Sequence, residues 1–301
     1  MNDKRMKGGL VGFPDDIGIE NNNGRPGAKE GPQAFRQRFF KLGGTHSVKE
    51  MIEDTGDVQI ERDDISGNHE RAIERVKECH QQYSFSLIIG GGHDYAYPHL
   101  RGVRDSYGEN YRLGCINIDA HLDLRSDHDA ILSGSPFYMA LDRKVLTGPQ
   151  LVEFGIHYYC NSQALWEYAH TNQVNVVPFD RLRNGKAVDE FRESLEELCE
   201  LCDGVVISLD LDAVQAASAP GVSAPAPEGF SPSDIMAMIE MGAREDKVES
   251  LGIYELNPAY DRDEHTSRLA SIAAYNFCRL RQNRNDGHPS DQHIWRNMAA
   301  T

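Results

Sequence analysis

The chain has 301 residues, 40% of them hydrophobic, which is enough for a substantial core in one large domain or two smaller ones. Its formal net charge of −16 argues against a nucleic-acid-binding surface. No apolar run of about eighteen residues occurs, and the polar N-terminus lacks the apolar stretch of a signal peptide. We therefore expect a cytoplasmic protein with no membrane span and no nucleic-acid partner.

Short apolar runs alternate with amphipathic segments along most of the chain. The runs predict strands at 9–13, 57–60, 85–89, 113–118, 151–156, 174–179, 204–209 and 250–254. The amphipathic segments predict helices at 31–40, 69–83, 163–171, 189–201, 231–242 and 267–280. This alternation is typical of βαβ units, which form a parallel sheet with helices on both faces. No linker interrupts it, so we predict one domain, 1–301, with its core at about 8–280.

Two long segments without periodicity lie between these elements, at 15–32 and 213–230. Loops of this length in a compact domain are often functional. The C-terminal tail, 282–301, is polar, and we expect its His288 and His293 to be solvated rather than to bind a metal.

Acidic and histidine side chains follow three of the predicted buried strands, at 90–94, 119–123 and 208–212. Alternate residues of an extended segment share a face, and ligands bind at the carboxyl ends of parallel strands, so these side chains can meet. Carboxylates crowded in this way repel one another unless they hold a cation. Four aspartates and two histidines suit two divalent metals better than one. The predicted ligands are His93, Asp119, His121, Asp123, Asp210 and Asp212.

The donor atoms indicate the metal and the reaction. Oxygen-rich ligand sets with some imidazole suit Mn²⁺ or a similar ion, whereas structural zinc would favour cysteine, which these segments lack. Two such metals can share a water and lower its pKa towards neutrality, which favours hydrolysis of a C–N bond. Each segment alone could be a cap, a turn or a surface pair. The glycines at 90–92 suggest a phosphate loop, but the rest of that motif is absent.

The order and spacing of these motifs resemble the ureohydrolase family, which includes arginase, agmatinase and formimidoylglutamase. The segments that carry the resemblance are 24–28, 31–32, 91–94, 119–123, 208–212 and 255–258. The resemblance covers about residues 8–280. It implies an arginase-like three-layer α/β/α sandwich with an eight-stranded parallel sheet, two Mn²⁺ per subunit and assembly into a homo-oligomer.

The resemblance also implies roles for individual residues. It assigns His93, Asp119, Asp123 and Asp210 to one metal or to the bridge between the metals. It assigns Asp119, His121, Asp210 and Asp212 to the other metal. Glu255 matches the family glutamate that pairs with a cationic amidine or guanidine group; alternatively, Glu255 is a strand-end acid in a surface salt bridge.

Three features resemble formimidoylglutamases more than arginases or agmatinases. Ser133, in the segment 133–137, stands where the other two carry a histidine assigned to proton shuttling, and His157 or solvent could take that role. Arg125 stands where arginases carry an asparagine, and it can clamp a carboxylate or, alternatively, pair with Asp127 or Asp129. The third feature is the loop at 219–225. The remaining candidate substrate-binding residues are Ser133 itself, Asn23, Arg25 and Tyr159.

The sequence therefore predicts hydrolysis of N-formimidoyl-L-glutamate to L-glutamate and formamide, a step of histidine degradation. The predicted mechanism is attack of a dimanganese-bridging hydroxide on the formimidoyl carbon. The nearest alternative is an agmatinase or another guanidino-acid hydrolase that releases urea. An alternative of a different class, a non-catalytic metal-binding paralogue, is left open by Ser133.

Overall fold

One parallel sheet of eight strands organises the chain, which confirms the predicted α/β fold. The structure is a computed structural model that describes residues 7–43 and 46–285, so His288 and His293 lie outside the described residues. The strands are β1 (Gly8–Gly12), β2 (Ile52–Asp57), β3 (Ser86–Ile89), β4 (Leu113–Ile118), β5 (Leu151–Ile156), β6 (Asn175–Pro178), β7 (Gly204–Asp210) and β8 (Val248–Tyr254). Their order across the sheet is β2-β1-β3-β8-β7-β4-β5-β6, and every pairing is parallel.

The second strand is the one whose predicted position was wrong. It ends at Asp57, where the predicted strand began. This strand lies at the sheet edge, where Glu53 and Asp54 are exposed and the Thr55 hydroxyl donates to the Leu10 carbonyl at 2.7 Å. An edge strand that faces solvent needs no apolar run, so hydrophobicity did not reveal it.

Helices connect the strands and cover both faces of the sheet. They are α1 (Ile17–Asn21), α2 (Gly31–Phe39), α3 (Val48–Met51), α4 (Ile65–Gln82), α5 (Ala96–Tyr107), α6 (Pro136–Asp142), α7 (Gln163–Thr171), α8 (Phe179–Leu182), α9 (Ala187–Leu201), α10 (Pro232–Arg244) and α11 (His265–Asn285). Of these, α1 lies within the segment 15–32, which we predicted to be a loop.

Helix α5 was not predicted because it contains both Pro98 and Gly102. Pro98 lies in the first turn, where its missing N–H removes no helical hydrogen bond. Gly102 faces α4, where an added Cβ would lie 2.6 Å from the Val76 Cβ and 2.7 Å from the Ile73 carbonyl oxygen. Glycine therefore permits the close packing of α4 against α5, although it is usually unfavourable inside a helix.

The strands place their side chains alternately in two hydrophobic clusters. Leu87 and Ile89 of β3 belong to one cluster, which includes residues of α2, α9, α10 and α11. Ile88, between them, belongs to the other cluster, which includes residues of α4, α5 and α6. Because a strand sends successive side chains to opposite faces, the two clusters lie on opposite sides of the sheet. This is the predicted three-layer α/β/α arrangement. None of the helices among the described residues is both long and apolar enough to cross a bilayer.

The strand order determines where a ligand can bind. Strands β3 and β4 follow each other in the sequence, but β8 and β7 lie between them in the sheet. In open parallel sheets, ligands bind beyond the carboxyl ends of the strands at such a change of direction. The segments that follow β3, β4, β7 and β8 are those that carry the candidate site.

Candidate metal centre

The structure brings all six predicted metal ligands together at the carboxyl ends of β3, β4 and β7. They form two groups that share Asp119, and within each group the potential ligand atoms lie within 4.8 Å of one another. The first group is His93, Asp119, Asp123 and Asp210, and the second is Asp119, His121 and Asp212. Asp210, which the resemblance assigns to both metals, is in the first of these groups.

The D-x-H and D-x-D spacings have a local structural cause. The Asp119 Oδ1 accepts a hydrogen bond from the backbone N–H of His121, and the Asp210 Oδ1 accepts one from the N–H of Asp212, both at 2.8 Å. An aspartate that binds the backbone two residues ahead ends the strand in a turn. The turn fixes the first carboxylate and directs the third side chain of each motif to the same edge of the sheet.

His93 lies at the centre of the first group. Its Nδ1 is 3.1 Å from Asp119, 2.9 Å from Asp123 and 3.1 Å from Asp210, measured to the nearest carboxylate oxygens. Its other ring nitrogen, Nε2, lies 2.8 Å from the Ser208 hydroxyl. The buried Nδ1 makes no hydrogen bond of acceptable geometry. A ring held at Nε2, with Nδ1 facing three carboxylate oxygens, fits a metal-binding histidine.

The charges around His93 also favour a cation. Burial lowers the pKa of His93, but the close approach of the three aspartate carboxylates, together with the charge of Asp210, outweighs burial and raises the pKa well above its ordinary value. Burial raises the pKa of Asp210 to about 6, with a further contribution from the charge of Asp119. Burial and the charge of Asp210 raise the pKa of Asp212 well above its usual range. A divalent cation relieves this repulsion because it interacts with all the carboxylates at once.

His121 completes the second group. Its Nδ1 lies 3.4 Å from the Asp119 Oδ1 and 3.2 Å from the Asp212 Oδ2. The other carboxylate oxygen of Asp212, Oδ1, is buried and has no hydrogen-bond partner among the described residues. The donor set is therefore four carboxylates and two imidazoles with unused ligand atoms, which fits a pair of Mn²⁺ ions.

Glu255 follows β8 and extends the acidic cluster. Its backbone has a positive φ of 64°, and that of Asp123 has a φ of 46°, a region that residues other than glycine rarely adopt. The Glu255 Oε1 accepts a hydrogen bond from the backbone N–H of His93 at 3.1 Å, and the buried Oε2 has no hydrogen-bond partner in the part of the chain that the structure describes. Burial and the charges of Asp210 and Asp212 raise the pKa of Glu255 well above its ordinary value. Because Glu255 is only 3% exposed, the alternative of a surface salt bridge is wrong.

A cavity of about 320 Å³ adjoins the metal centre. Four of the predicted substrate-binding residues line it, namely Asn23, Arg25, Arg125 and Ser133. The other lining residues are Asn22, Gly24, His93, His121, Asp123, Asp210, Asp212, Ser223, Ala224 and Glu255. The cavity therefore connects the metal ligands and Glu255 with an exposed arginine.

Two candidates, His157 and Tyr159, are not among the described residues that line this cavity. The His157 ring is buried, with its centroid 4.7 Å from that of Phe179 and 4.9 Å from that of Tyr159. Burial lowers the pKa of His157. Tyr159 is 66% exposed. Both residues follow β5, the strand next to β4, and the His157 N–H donates to the Ala120 carbonyl at 3.0 Å, so His157 lies beside the segment that carries the predicted ligands without lining this cavity. The catalytic role of His157 and the substrate contact of Tyr159 stay predictions.

Arg25 holds one wall of the cavity in place. Its guanidinium donates to the backbone carbonyls of Val222 at 2.5 Å and Ser223 at 2.9 Å, and lies 4.2 Å from the centroid of the Tyr260 ring. The Asn257 amide donates to the carbonyl of Arg25 at 3.0 Å and to the next carbonyl at 3.1 Å. The N-terminal motif, the loop at 219–225 and the motif at 255–258 therefore form one hydrogen-bonded wall.

Sequence reasoning missed the roles of Asn22 and Ser208. Asn22 lies in a run of three asparagines with no periodicity or motif to distinguish it. Ser208 belongs to the quoted motif at 208–212, but only the structure reveals its contact with His93. A general rule could have indicated it, because the second ring nitrogen of a metal-binding histidine usually has a partner nearby.

Comparison with known proteins agrees with the fold and the motifs. The model of the Arginase family matches residues 7–278 of the chain. The chain belongs to the arginase family. This confirms the resemblance to the ureohydrolases and the arginase-like fold.

Formimidoylglutamases are among the arginase-family proteins that are similar to this chain in sequence and structure. The formimidoylglutamase of Staphylococcus carnosus is 32% identical over 278 residues, which are 91% of this chain and 87% of the relative. The crystal structure of formimidoylglutamase from Bacillus subtilis has a TM-score of 0.83 at 25% identity and covers 94% of this chain and 89% of its own. Trypanosoma cruzi formiminoglutamase with Mn²⁺ has a TM-score of 0.83 at 26% identity, with coverage of 91% and 93%.

Proposed function

We propose that this arginase-family protein hydrolyses N-formimidoyl-L-glutamate to L-glutamate and formamide, as a step of histidine degradation. The observation that carries the proposal is the cavity, which combines a buried acidic centre with the exposed guanidinium of Arg125. The proposed substrate has complementary groups, a cationic formimidoyl group and two carboxylates. The similarity to formimidoylglutamases over most of the chain supports the same substrate.

We further propose that two Mn²⁺ ions bind per subunit, one to each ligand group. When bound, the ions activate water near neutral pH and stabilise negative charge that develops at the attacked carbon. The neighbouring protein groups keep the ligands in place. Ser208 accepts the Nε2 proton of His93, and the backbone N–H groups of His121 and Asp212 hold two of the carboxylates. The Mn²⁺-bound structure of Trypanosoma cruzi formiminoglutamase supports this choice of metal.

Glu255 is proposed to bind the cationic end of the substrate. The His93 N–H fixes the Glu255 Oε1, which leaves Oε2 to accept hydrogen bonds from the formimidoyl nitrogens. A buried carboxylate without a counter-ion gains most from a cationic partner. Water oxygen then adds to the formimidoyl carbon, and the bond from that carbon to the glutamate nitrogen breaks. The nitrogen leaves with a proton as the amine of L-glutamate, and the former formimidoyl group leaves as formamide.

Arg125 is proposed to bind a substrate carboxylate. Its guanidinium can donate two parallel hydrogen bonds to a carboxylate, and it lines the same cavity as Glu255. Of the alternative partners suggested by the sequence, Asp127 instead pairs with Arg143. Agmatine has no carboxylate, so a cavity arginine favours formimidoylglutamate over agmatine.

The test is to load the purified protein with Mn²⁺ and supply formimidoylglutamate, arginine and agmatine in parallel assays. We expect formamide and glutamate from the first substrate and no urea from the other two. Release of urea from arginine or agmatine would agree with the proposed metal centre but would refute formimidoylglutamate as the substrate. No product from any substrate, with two metals bound per chain, would favour a non-catalytic metal-binding protein.

A further inference from the structure

Asn22 joins two cavity-lining residues that are distant in the sequence. Its side chain follows the last turn of α1 and faces the cavity between Arg125 and Ser133. The Arg125 Nη1 donates to the Asn22 Oδ1, and the Asn22 Nδ2 donates to the Ser133 Oγ at 3.0 Å. We refer to Asn22, Arg125 and Ser133 as the cavity rim.

The chemistry of arginine fixes the direction of both hydrogen bonds. A guanidinium has only donors, so the amide of Asn22 must turn its oxygen towards Arg125. Its NH₂ group then faces Ser133 and must donate to the hydroxyl oxygen. Since this bond uses a lone pair of the oxygen, the hydroxyl proton of Ser133 is left for another acceptor. Within the described part of the chain, no acceptor receives that proton.

Backbone contacts hold the cavity rim in this arrangement. The N–H of Ser133 donates to the Gly18 carbonyl of α1 at 2.8 Å, and the N–H of Arg125 donates to the Gly134 carbonyl at 2.8 Å. The neighbouring Asn21 donates from its side chain to the Ile131 carbonyl at 2.9 Å. The segments that carry Arg125 and Ser133 are therefore both fixed, the second of them directly to α1.

The polarity of the cavity rim is opposite to that of the metal centre. The metal centre presents carboxylate oxygens, which are acceptors. Arg125 and Ser133 present N–H and O–H donors to the cavity, because Asn22 occupies the Ser133 oxygen and one N–H of Arg125. A group with several acceptor lone pairs and a negative charge fits two such donors, and a carboxylate has both properties.

We infer that Asn22 is a positioning residue that makes Arg125 and Ser133 a two-donor subsite for a substrate carboxylate. This inference rests on the proposed function, because it assumes a substrate that carries a carboxylate. Ser133 is already a predicted substrate-binding residue, and the new assignment is that Asn22 orients the donor groups of Arg125 and Ser133.

The experiment measures L-glutamate binding to the Mn²⁺-loaded protein by isothermal titration calorimetry. We expect Asn22→Leu and Ser133→Ala each to weaken binding about tenfold, the effect of losing one hydrogen bond to a charged group. The double variant should bind more tightly than the product of the two losses predicts, because Asn22 acts partly through Ser133. Asn110→Leu is the matched control, because Asn110 is exposed and precedes β4, at the end of that strand opposite to the predicted metal ligands, and it should change binding less than about twofold.

Three results would overturn the inference, namely no binding of glutamate to the wild-type protein, unchanged binding by Asn22→Leu, or fully additive losses in the double variant. Thermal melting of each variant separates misfolding from lost binding. If Asn22→Leu misfolds, Asn22→Ser replaces it in the comparison. Serine is smaller and polar but cannot contact both Arg125 and Ser133. If wild-type protein binds glutamate but does not hydrolyse formimidoylglutamate, the proposed reaction fails and the inferred subsite stands.

Discussion

The sheet carries two buried polar clusters that both contain histidines. One is the metal centre at the carboxyl ends of the strands. The other, which we call the serine–histidine network, runs along β3 and β8 beneath α4 and α5. It consists of His80, Ser86, His99, Ser250 and Tyr254. Each cluster contains at least one histidine that is almost fully buried, yet only one of the two clusters fits a metal.

The difference lies in whether each buried histidine has partners at both ring nitrogens. His99 has Tyr254 at 2.8 Å from Nδ1 and Ser250 at 2.7 Å from Nε2. His93 has Ser208 at Nε2, but its Nδ1 faces carboxylates without a proper hydrogen bond. Burial and the charge of His80 lower the pKa of His99 to about 3, so it is neutral. A cluster with all hydrogen bonds satisfied stabilises the fold, whereas an unsatisfied one retains binding capacity.

The largest expected effect is that of His93→Ala. Removal of a ligand from the first metal group should lower Mn²⁺ occupancy and the rate of formamide release. We expect losses larger than the roughly ten- to hundredfold effect of removing a residue that only supports a ligand. Metal analysis after dialysis and steady-state kinetics measure both. Full metal content with full activity would refute the ligand assignment.

The matched substitution in the serine–histidine network is His99→Ala. It removes the His99 partner of the Tyr254 hydroxyl and one of the partners of the Ser250 hydroxyl, and it creates a cavity, so we expect the free energy of unfolding to fall by about 2–4 kcal/mol. Mn²⁺ content should stay at the wild-type level. Denaturant unfolding and metal analysis test the two expectations. The exposed His128 provides a control, because His128→Ala should change stability by less than about 0.5 kcal/mol.

A loss of Mn²⁺ from His99→Ala without a loss of stability would contradict the distinction between the two clusters. It would show that the serine–histidine network acts on the metal centre, a route made plausible by the 4.9 Å between the centroids of the Tyr254 and His93 rings.

The two clusters also differ in how far sequence alone could reveal them. The metal ligands follow apolar strands at short regular spacings, so a local pattern determines both where they lie and what they face. The members of the serine–histidine network come from α4, α5, β3 and β8, and each looks like an ordinary residue of its element. Only the tertiary contacts bring them together, as they bring Asn22 to Arg125.

His157 and Tyr159 show the reverse case, in which a local sequence pattern suggested two pocket residues that do not line the cavity among the described residues. Both follow a strand end, as the predicted ligands do, and for that reason the sequence indicated them as pocket residues. Their strand is one place farther from the centre of the sheet than β4, and the His157 ring packs against Phe179 and is not among the described residues that line the cavity. The sequence indicates that a residue follows a strand. The strand order in the sheet decides which other segments lie beside the end of that strand.

Added Mn²⁺ should distinguish the metal centre from the serine–histidine network by its effect on the melting temperature. A ligand at a hundred times its dissociation constant stabilises a protein by about 2.7 kcal/mol per site. For a chain of this length we expect Mn²⁺ to raise the melting temperature by about 4 °C per site over protein treated with chelator. His99→Ala should melt earlier but show the same increase with Mn²⁺. An equal increase in His93→Ala would indicate that Mn²⁺ binds elsewhere.

The smallest expected effect on Mn²⁺ binding comes from replacing Ser208, and Ser86 is the matched buried serine. Ser208→Ala removes the partner of the His93 Nε2 and should weaken Mn²⁺ binding about tenfold, or about 1.4 kcal/mol, because the ring loses its orientation. Ser86→Ala makes the same chemical change within the serine–histidine network and should lower stability while leaving Mn²⁺ affinity unchanged. Competition with a fluorescent chelator measures the affinity. Equal Mn²⁺ affinities in the two variants would mean that the Ser208 hydrogen bond does not orient the ligand.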